Sequence, residues 1–408
     1  MPEEFQCRSC DSCDGELVLD LGELPLANNL LREEDLGKPE PCFPLRVAVC
    51  TRCWLLQITD LVPPVELFEK YIYFSSNALS WVRYAEECAR RYITEFSLGP
   101  NRRVVEVASN DGYLLKHFLA AGVPHLGVEP AENIAAVARE QGIETRVGFF
   151  GESLARELAV EGQKADLILG NNVFAHAPDT NDFVAGFREL LQPNGRVILE
   201  FPYAVELLER NEFDTIYHEH VFYFSLAALE PIFERQGLRV ARVERTPMHG
   251  GSLRLFAGHE AAVEPDATVA ALRREEAEHG VTEPAFYKSF SERVVRLRKA
   301  ICGHVAEASA AGSLAAYGAA AKGTTLLNYC GLGREAIEFV VDISPHKQGR
   351  YMPGVHLPIL PLEALHERRP DCLLLLAWNF AAEIMTQQAG YRDAGGRFLI
   401  PVPEPRFA

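Results

Sequence analysis

The spacing of apolar and polar positions changes twice along the chain and divides it into three segments. From residue 102, short β-branched runs alternate with stretches of helical period. Arg103-Val104-Val105-Glu106-Val107 passes through Ala108-Ser109-Asn110-Asp111-Gly112 into a helical pattern from Tyr113 to Ala121. A second run, His125-Leu126-Gly127-Val128, ends at Glu129-Pro130, and apolar runs at 165–170 and 196–201 follow with helical patterns between them. Alternation at these lengths predicts a mainly parallel, doubly wound α/β sheet. Runs at 238–243, after the breaker Gly237, and at 252–257 read as strands that finish it. Apolar side chains at 290, 294, 297, 301, 305 and 308 then mark one face of a long helix. That helix leads to a second α/β segment with strand candidates at 314–317, 339–341, 372–377 and 398–400 and a small-residue corner, Gly318-Ala319-Ala320-Ala321-Lys322-Gly323.

The first 70 residues lack this alternation and hold six of the ten cysteines. Cys7-Arg8-Ser9-Cys10 and Cys50-Thr51-Arg52-Cys53 are two C-x2-C knuckles separated by 39 residues. Each can grip a tetrahedral Zn2+ from a tight turn, and four thiolates leave no open position, so the expected site is structural. Cys13 and Cys42 are spare thiols beside it, and the alternative is a set of free or redox-active cysteines. The expected division is 1–70, 71–285 and 286–408.

Composition narrows the class. The 408 residues are 48% apolar and 24% charged, a globular mixture with capacity for several cores. No apolar run approaches the ~20 residues that span a bilayer. Met1-Pro2-Glu3-Glu4 lacks the basic start of a signal peptide, so a cytoplasmic protein is expected. Asp plus Glu number 57 against 40 Lys plus Arg, and the net charge of −17 repels nucleic acid and anionic membranes. A monomer acting on a small molecule is expected.

Ligands of open α/β sheets sit beyond the carboxyl ends of strands, where strand order reverses. Glu106, Ser109, Asn110, Asp111 and Gly112 are therefore expected around a cofactor, with Gly112 allowing close approach and the next helix offering N–H donors. Glu129 ends the second strand, where a carboxylate accepts both ribose hydroxyls of an adenosine. No G-x-G-x-x-G cradles a pyrophosphate, and an acidic corner suits the cationic S-adenosylmethionine (SAM) better than NAD. The bland alternative is a structural turn followed by a surface acid. Asn171, Asn172 and His176 follow the strand at 165–170 and are expected to face the same cleft.

Thr215-Ile216-Tyr217-His218-Glu219-His220-Val221-Phe222-Tyr223 concentrates imidazoles, a carboxylate and phenols. In an extended chain Tyr217, Glu219 and Tyr223 share one face and the histidines the other, so only a bend joins Tyr217, Glu219 and His220. Histidine beside a carboxylate suits proton abstraction, and a tyrosine hydroxyl can donate to a nascent oxyanion. Two other readings are an H-x-H metal site with Glu219 as third ligand and a polar loop sealing a sheet edge.

Over nearly its whole length the sequence resembles the three-domain, SAM-dependent nucleotide-sugar C-methyltransferases of deoxysugar and antibiotic biosynthesis. The resemblance rests on the paired knuckles, Pro25-Leu26-Ala27-Asn28, the corner from Glu106 to Gly112, and Asn171-Asn172-Val173-Phe174-Ala175-His176. Glu200-Phe201-Pro202, Tyr217-His218-Glu219-His220, His249-Gly250-Gly251-Ser252-Leu253-Arg254, the stretch from Gly318 to Asn328, and Trp378-Asn379 continue it. It implies a zinc module on Cys7, Cys10, Cys50 and Cys53, a Rossmann-like class I methyltransferase domain and a C-terminal Rossmann-like domain for the nucleotide. The implied reaction is methylation at C3 of a dTDP-4-keto-6-deoxysugar. His220 would remove the C3 proton, Tyr217 with His176 or Tyr71 would stabilise the enolate oxygen, and Glu219 would hold His220 or a sugar hydroxyl. The enolate carbon would then take the sulfonium methyl. Ser75, His249, Arg254, Lys322 and Asn379 are the expected substrate contacts, with Arg254 and Lys322 first for the diphosphate.

Where the family usually places an aromatic, a serine and histidines, this chain has Asn77, Ala78, Tyr84 and Tyr203. If those positions border the sugar, an unusual sugar or methylation at C5 is implied. Asp342, at the end of a strand, would instead suit an NAD ribose, giving an NAD-dependent nucleotide-sugar oxidoreductase as one alternative. A non-catalytic, zinc-stabilised sugar-nucleotide binding protein is another.

Overall fold

The computed structural model describes residues 5–63, 67, 74–77 and 79–408, the side chains of residues 77, 79 and 249 excepted. Three sheets carry the chain. Strands β1 (Gly15–Pro25), β2 (Cys42–Cys50) and β3 (Leu56–Ile58) form an antiparallel meander in the segment where no strand was expected. Register shifts between Leu17 and Leu19 and between Asp20 and Glu23 break the period of two that would have announced β1.

The central strands are β4 (Val104–Val107), β5 (His125–Glu129), β6 (Thr145–Val147), β7 (Ala165–Asn171) and β8 (Leu191–Pro202). After β9 (Phe222–Tyr223) come β10 (Leu238–Thr246) and β11 (Ser252–His259). Seven of these make one sheet in the order β10-β11-β8-β7-β4-β5-β6, parallel except where β11 runs against its neighbours. Strand order reverses between β4 and β7. The eighth, β9, leaves this sheet and pairs antiparallel with β3, as the fourth strand of the zinc module.

The predicted long helix spans Pro284–Ala311, with Phe290, Val294, Leu297, Ile301, Val305 and Ala308 buried. Beyond it lie β12 (Leu314–Tyr317), β13 (Val340–Val341), β14 (Ile359–Leu360), β15 (Cys372–Leu375), β16 (Arg397–Ile400) and β17 (Arg406–Phe407). Their order is β14-β13-β12-β15-β16-β17, with only β17 antiparallel, and the reversal falls between β12 and β15. Two Rossmann-like sheets are thus present, each with a switch point. Among the described residues, no helix is long and apolar enough to cross a membrane.

An aromatic core places the polar segments. Phe174 stacks on Phe224 at 4.4 Å between ring centroids, and both rings are fully buried with Phe183, Phe201 and Phe233. Each such ring stabilises the fold by roughly 1.5–3 kcal/mol. Phe174 stands two residues before His176 and Phe224 four residues after His220, so this cluster fixes both histidine segments side by side.

Candidate active site

The two switch points face each other across a cavity of about 770 Å3. Val107, Asn110, Glu129, Asn171 and Asn172 line it from the central sheet; Ala320, Lys322, Ala377 and Asn379 line it from the C-terminal sheet. Tyr217, Glu219, His220 and His176 lie between these walls, and Asn28 of the zinc module completes the lining.

The cofactor corner is built in two layers. Ala108, Asn110 and Gly112 all have left-handed backbone, with φ of 55°, 50° and 80°. That conformation is costly for a non-glycine residue and tends to concentrate at functional turns. Glu129, at the end of β5, accepts the Asn110 N–H at 3.0 Å and the Ala131 N–H at 3.0 Å, while still lining the cavity. Asn110, Glu129, Asn171 and Asn172 stand where they were expected, and Asn172 Oδ1 is buried with no hydrogen-bond partner among the described residues. Carboxylate and amide oxygens of this kind fit a ribose and a cationic donor. Glu106, Ser109, Asp111 and Gly112 are corrected: none lines the cavity. Glu106 is buried beneath the turn, and desolvation beside Asp111 and Glu129 pushes its carboxyl well up. Ser109 Oγ packs on Gly127, and Asp111 accepts the Ser76 N–H and hydroxyl. A Cβ on Gly112 would meet Ile143 at 2.8 Å, so this glycine serves helix packing, not ligand approach.

The bend that the sequence required is a tight turn closed by the His220 N–H to the Tyr217 carbonyl at 2.9 Å. It brings the Tyr217 hydroxyl within 2.7 Å of His220 Nε2. His220 Nδ1 lies 3.0 Å from the Thr215 carbonyl, which can only accept, so Nδ1 carries the proton and Nε2 is the basic nitrogen. A backbone carbonyl, not Glu219, therefore orients the imidazole. Glu219 Oε1 accepts from Asn28 Nδ2 at 2.9 Å, and Oε2 is buried with no hydrogen-bond partner among the described residues. The His176 ring stands edge-on to that of His220, centroids 4.9 Å apart, and burial lowers its pKa to about 4, so it is neutral near pH 7. His218 turns away to the Phe43 carbonyl at 3.2 Å, which sets the H-x-H metal reading aside.

Of the expected substrate contacts, Ser75, Lys322 and Asn379 line the cavity. Tyr71 and the His249 side chain lie outside the described residues. Lys347, which the sequence did not single out, joins the same wall and donates to the Ala319 carbonyl at 2.8 Å. Arg254 does not reach the cavity. It lies directly across from Glu200 in the β11–β8 ladder and pairs with it at 2.9 Å, both side chains buried. Tyr84 donates to the same Glu200 at 2.6 Å, and Tyr203 donates to Glu276 at 2.7 Å. These two departures from the family pattern border protein carboxylates and give no reason to expect an unusual sugar; the Asn77 side chain and Ala78 lie outside the described residues. Both Asp342 oxygens accept backbone N–H groups, from Ala319 and Ser344 at 2.7 Å each, and Asp342 is absent from the cavity wall. Removing one partner of a buried ion pair strands the other charge. Arg254→Met is expected to lower stability by about 3–5 kcal/mol, read from the urea midpoint, with KM unchanged in the folded enzyme. A raised KM at unchanged stability would return Arg254 to the substrate.

The four knuckle cysteines converge. Their Sγ atoms lie within 4.8 Å of one another, with Cys7 to Cys53 at 3.5 Å and Cys10 to Cys50 at 3.6 Å. A tetrahedron with Zn–S bonds near 2.3 Å has edges of about 3.8 Å, which these separations approach. The turns match as well: Asp11 and Trp54 each donate to the carbonyl of the first knuckle cysteine, at 3.0 and 2.9 Å, with φ of 59° and 61°. Cys13 and Cys42 are exposed and stay outside the cluster.

Comparison with known proteins is consistent with this layout. Residues 7–68 match the family described as "Putative zinc binding domain", residues 81–243 "Methyltransferase domain", and residues 247–403 "C-methyltransferase C-terminal domain". The C-methyltransferase NovU of Streptomyces niveus is 41% identical over 406 residues, which cover 98% of this chain and 96% of that protein. A ubiquinone biosynthesis O-methyltransferase of Bartonella tribocorum is 26% identical over 140 residues, 34% of this chain and 56% of its own length. Among solved structures, the magnesium protoporphyrin IX methyltransferase of Synechocystis PCC 6803 with bound SAM is 16% identical, with a TM-score of 0.34 over 47% of this chain and 86% of that one.

Proposed function

This chain belongs to the SAM-dependent C-methyltransferase family that carries an N-terminal zinc-binding domain, and we propose that it methylates the carbon beside the ketone of a nucleotide-linked 4-ketosugar. The observation that supports this most is the division of charge around the cavity. Glu129, Asp179 and Asp182 line the cofactor side, whereas Lys322 and Lys347 line the C-terminal wall. An acidic side suits a sulfonium, and a basic wall suits a nucleoside diphosphate. On a chain of net charge −17 these two lysines stand out, although each is already partly compensated: Lys347 lies 4.0 Å from Asp342, and the buried Lys322 ammonium is paired electrostatically with Asp214 and Glu212. The helix Ala321–Cys330 also begins at this wall, and its first N–H groups favour an anion.

SAM, when bound, supplies an electrophilic methyl carbon. The residues of the catalytic turn prepare the nucleophile that meets it. A ketone oxygen beside Tyr217 draws the phenol O–H away from His220 and leaves Nε2 open. Nε2 then takes the C3 proton, while the electron pair moves into the enolate and Tyr217 donates to its oxygen. Glu219 and the neutral His176, which both line the cavity, hold sugar hydroxyls. In this reading the segments 1–70, 71–285 and 286–408 serve metal, cofactor and nucleotide in turn, and the product enters deoxysugar and antibiotic biosynthesis.

Titration calorimetry with S-adenosylhomocysteine, dTDP and NAD, followed by transfer of labelled methyl to a panel of dTDP- and GDP-4-ketosugars, tests the proposal. Binding of the first two ligands but not NAD is expected, with label at a ring carbon. No methyl transfer to any nucleotide ketosugar of the panel, or label delivered to an oxygen, would reject the sugar assignment.

A further inference from the structure

The Thr215 carbonyl that fixes the His220 tautomer sits between two ties to another domain. On one side, Asp214 is fully buried in the 3-10 turn Phe213–Thr215 and accepts the Trp378 indole N–H at 2.6 Å. On the other, the Ile216 carbonyl accepts the Thr325 hydroxyl at 3.1 Å. Trp378 follows β15, and Thr325 lies on the helix Ala321–Cys330. The buried Lys322 ammonium stands 4.3 Å over the Trp378 ring, and its charge partly offsets the burial that pushes Asp214 up to about 6. The adjacent Thr324 hydroxyl donates to the Ala27 carbonyl at 2.9 Å, next to the Asn28 that holds Glu219. Residues 214 and 216 are thus both pinned to the C-terminal domain, and residue 215 is held between them.

We propose that Trp378 and Thr325 are positioning residues of the methyl transfer: they set the Thr215 carbonyl, and through it the Nδ1–H tautomer and aim of His220. The C-terminal domain then does more than carry a nucleotide; its docking makes the base competent. Small errors in the aim of a reacting group are expensive, so effects of about 10- to 100-fold in kcat are expected without direct contact to the reacting carbon.

The proposal rests on His220 being the base, and the test separates the two. Trp378→Phe keeps a ring beneath Lys322 and removes the N–H; Thr325→Val is isosteric and removes the hydroxyl; Thr325→Ser restores it. Nitrogen-15 NMR of the imidazole, assigned by its loss in His220→Asn, reports the tautomer without any substrate. In Trp378→Phe and Thr325→Val, a mixed tautomer, a lowered kcat, and a KM and S-adenosylhomocysteine affinity within about two-fold of the parent are expected. Thr325→Ser is expected to restore the tautomer and kcat. A pure Nδ1–H tautomer with unchanged kcat in both variants overturns the proposal. Should Trp378→Phe fail to fold, the Thr325→Val and Thr325→Ser pair decides alone. Proton exchange that persists in His220→Asn would refute the base assignment while leaving the tautomer result to stand.

Discussion

His220→Asn is expected to lower turnover by about 10²–10⁴-fold, the range that a positioned general base contributes. Exchange of the substrate C3 hydrogen with deuterated solvent, followed by proton NMR, should fall in parallel. Asparagine retains an N–H for the Thr215 carbonyl but has no nitrogen that accepts a proton near neutral pH. The cofactor corner at Asn110 and Glu129 is built by hydrogen bonds that do not involve residue 220, so the affinity for S-adenosylhomocysteine should be preserved. Exchange at the parental rate in this variant would remove His220 from the role of base. Tyr217→Phe then discriminates further: a donor to the enolate oxygen is lost while the base stays, so exchange and methyl transfer slow together without the pH profile losing its acidic limb, which reports protonation of His220.

Why the sequence placed some residues well and others badly follows from what each depends on. The strand–turn–helix corner is local, so Asn110 and the strand-ending Glu129 were legible from apolar runs and their boundaries. Arg254 was not, because its counter-charge Glu200 lies 54 positions away and meets it only across the antiparallel β11–β8 ladder. A cation in a small-residue stretch looks like a phosphate ligand until its partner across the sheet is known. The same holds for Tyr84 and Tyr203, which resembled altered pocket residues and instead satisfy buried carboxylates. At Tyr217 and His220 the residue types were informative but their meeting was not: extended chain would have set them on opposite faces. The turn that joins them depends on the β9 strand being captured by the zinc module and on Thr325 holding Ile216, both long-range.

That capture gives the metal site an expected effect as large as that of the base. Metal binding by a closed four-thiolate site is folding free energy, roughly 10–16 kcal/mol in small zinc peptides at neutral pH. The module it supports is not remote from the chemistry. Its β3 pairs with β9 two residues after His220, its Asn28 holds Glu219, and its Phe43 carbonyl holds His218. Cys53→Ser, or metal stripped by a chelator under mild denaturant, should therefore release the catalytic turn and lower turnover by more than about 100-fold. Hydrogen exchange at Phe222 and Tyr223 should rise at the same time, because β9 loses its ladder partner. The central sheet supplies the cofactor corner without the module, so S-adenosylhomocysteine should still bind, and its calorimetric titration separates local release from global unfolding. A zinc-free protein, verified by metal analysis, with full turnover and protected β9 amides would show instead that the module stands apart from catalysis. The shared strand predicts the opposite, because a sheet that ends on the catalytic segment cannot loosen without moving it.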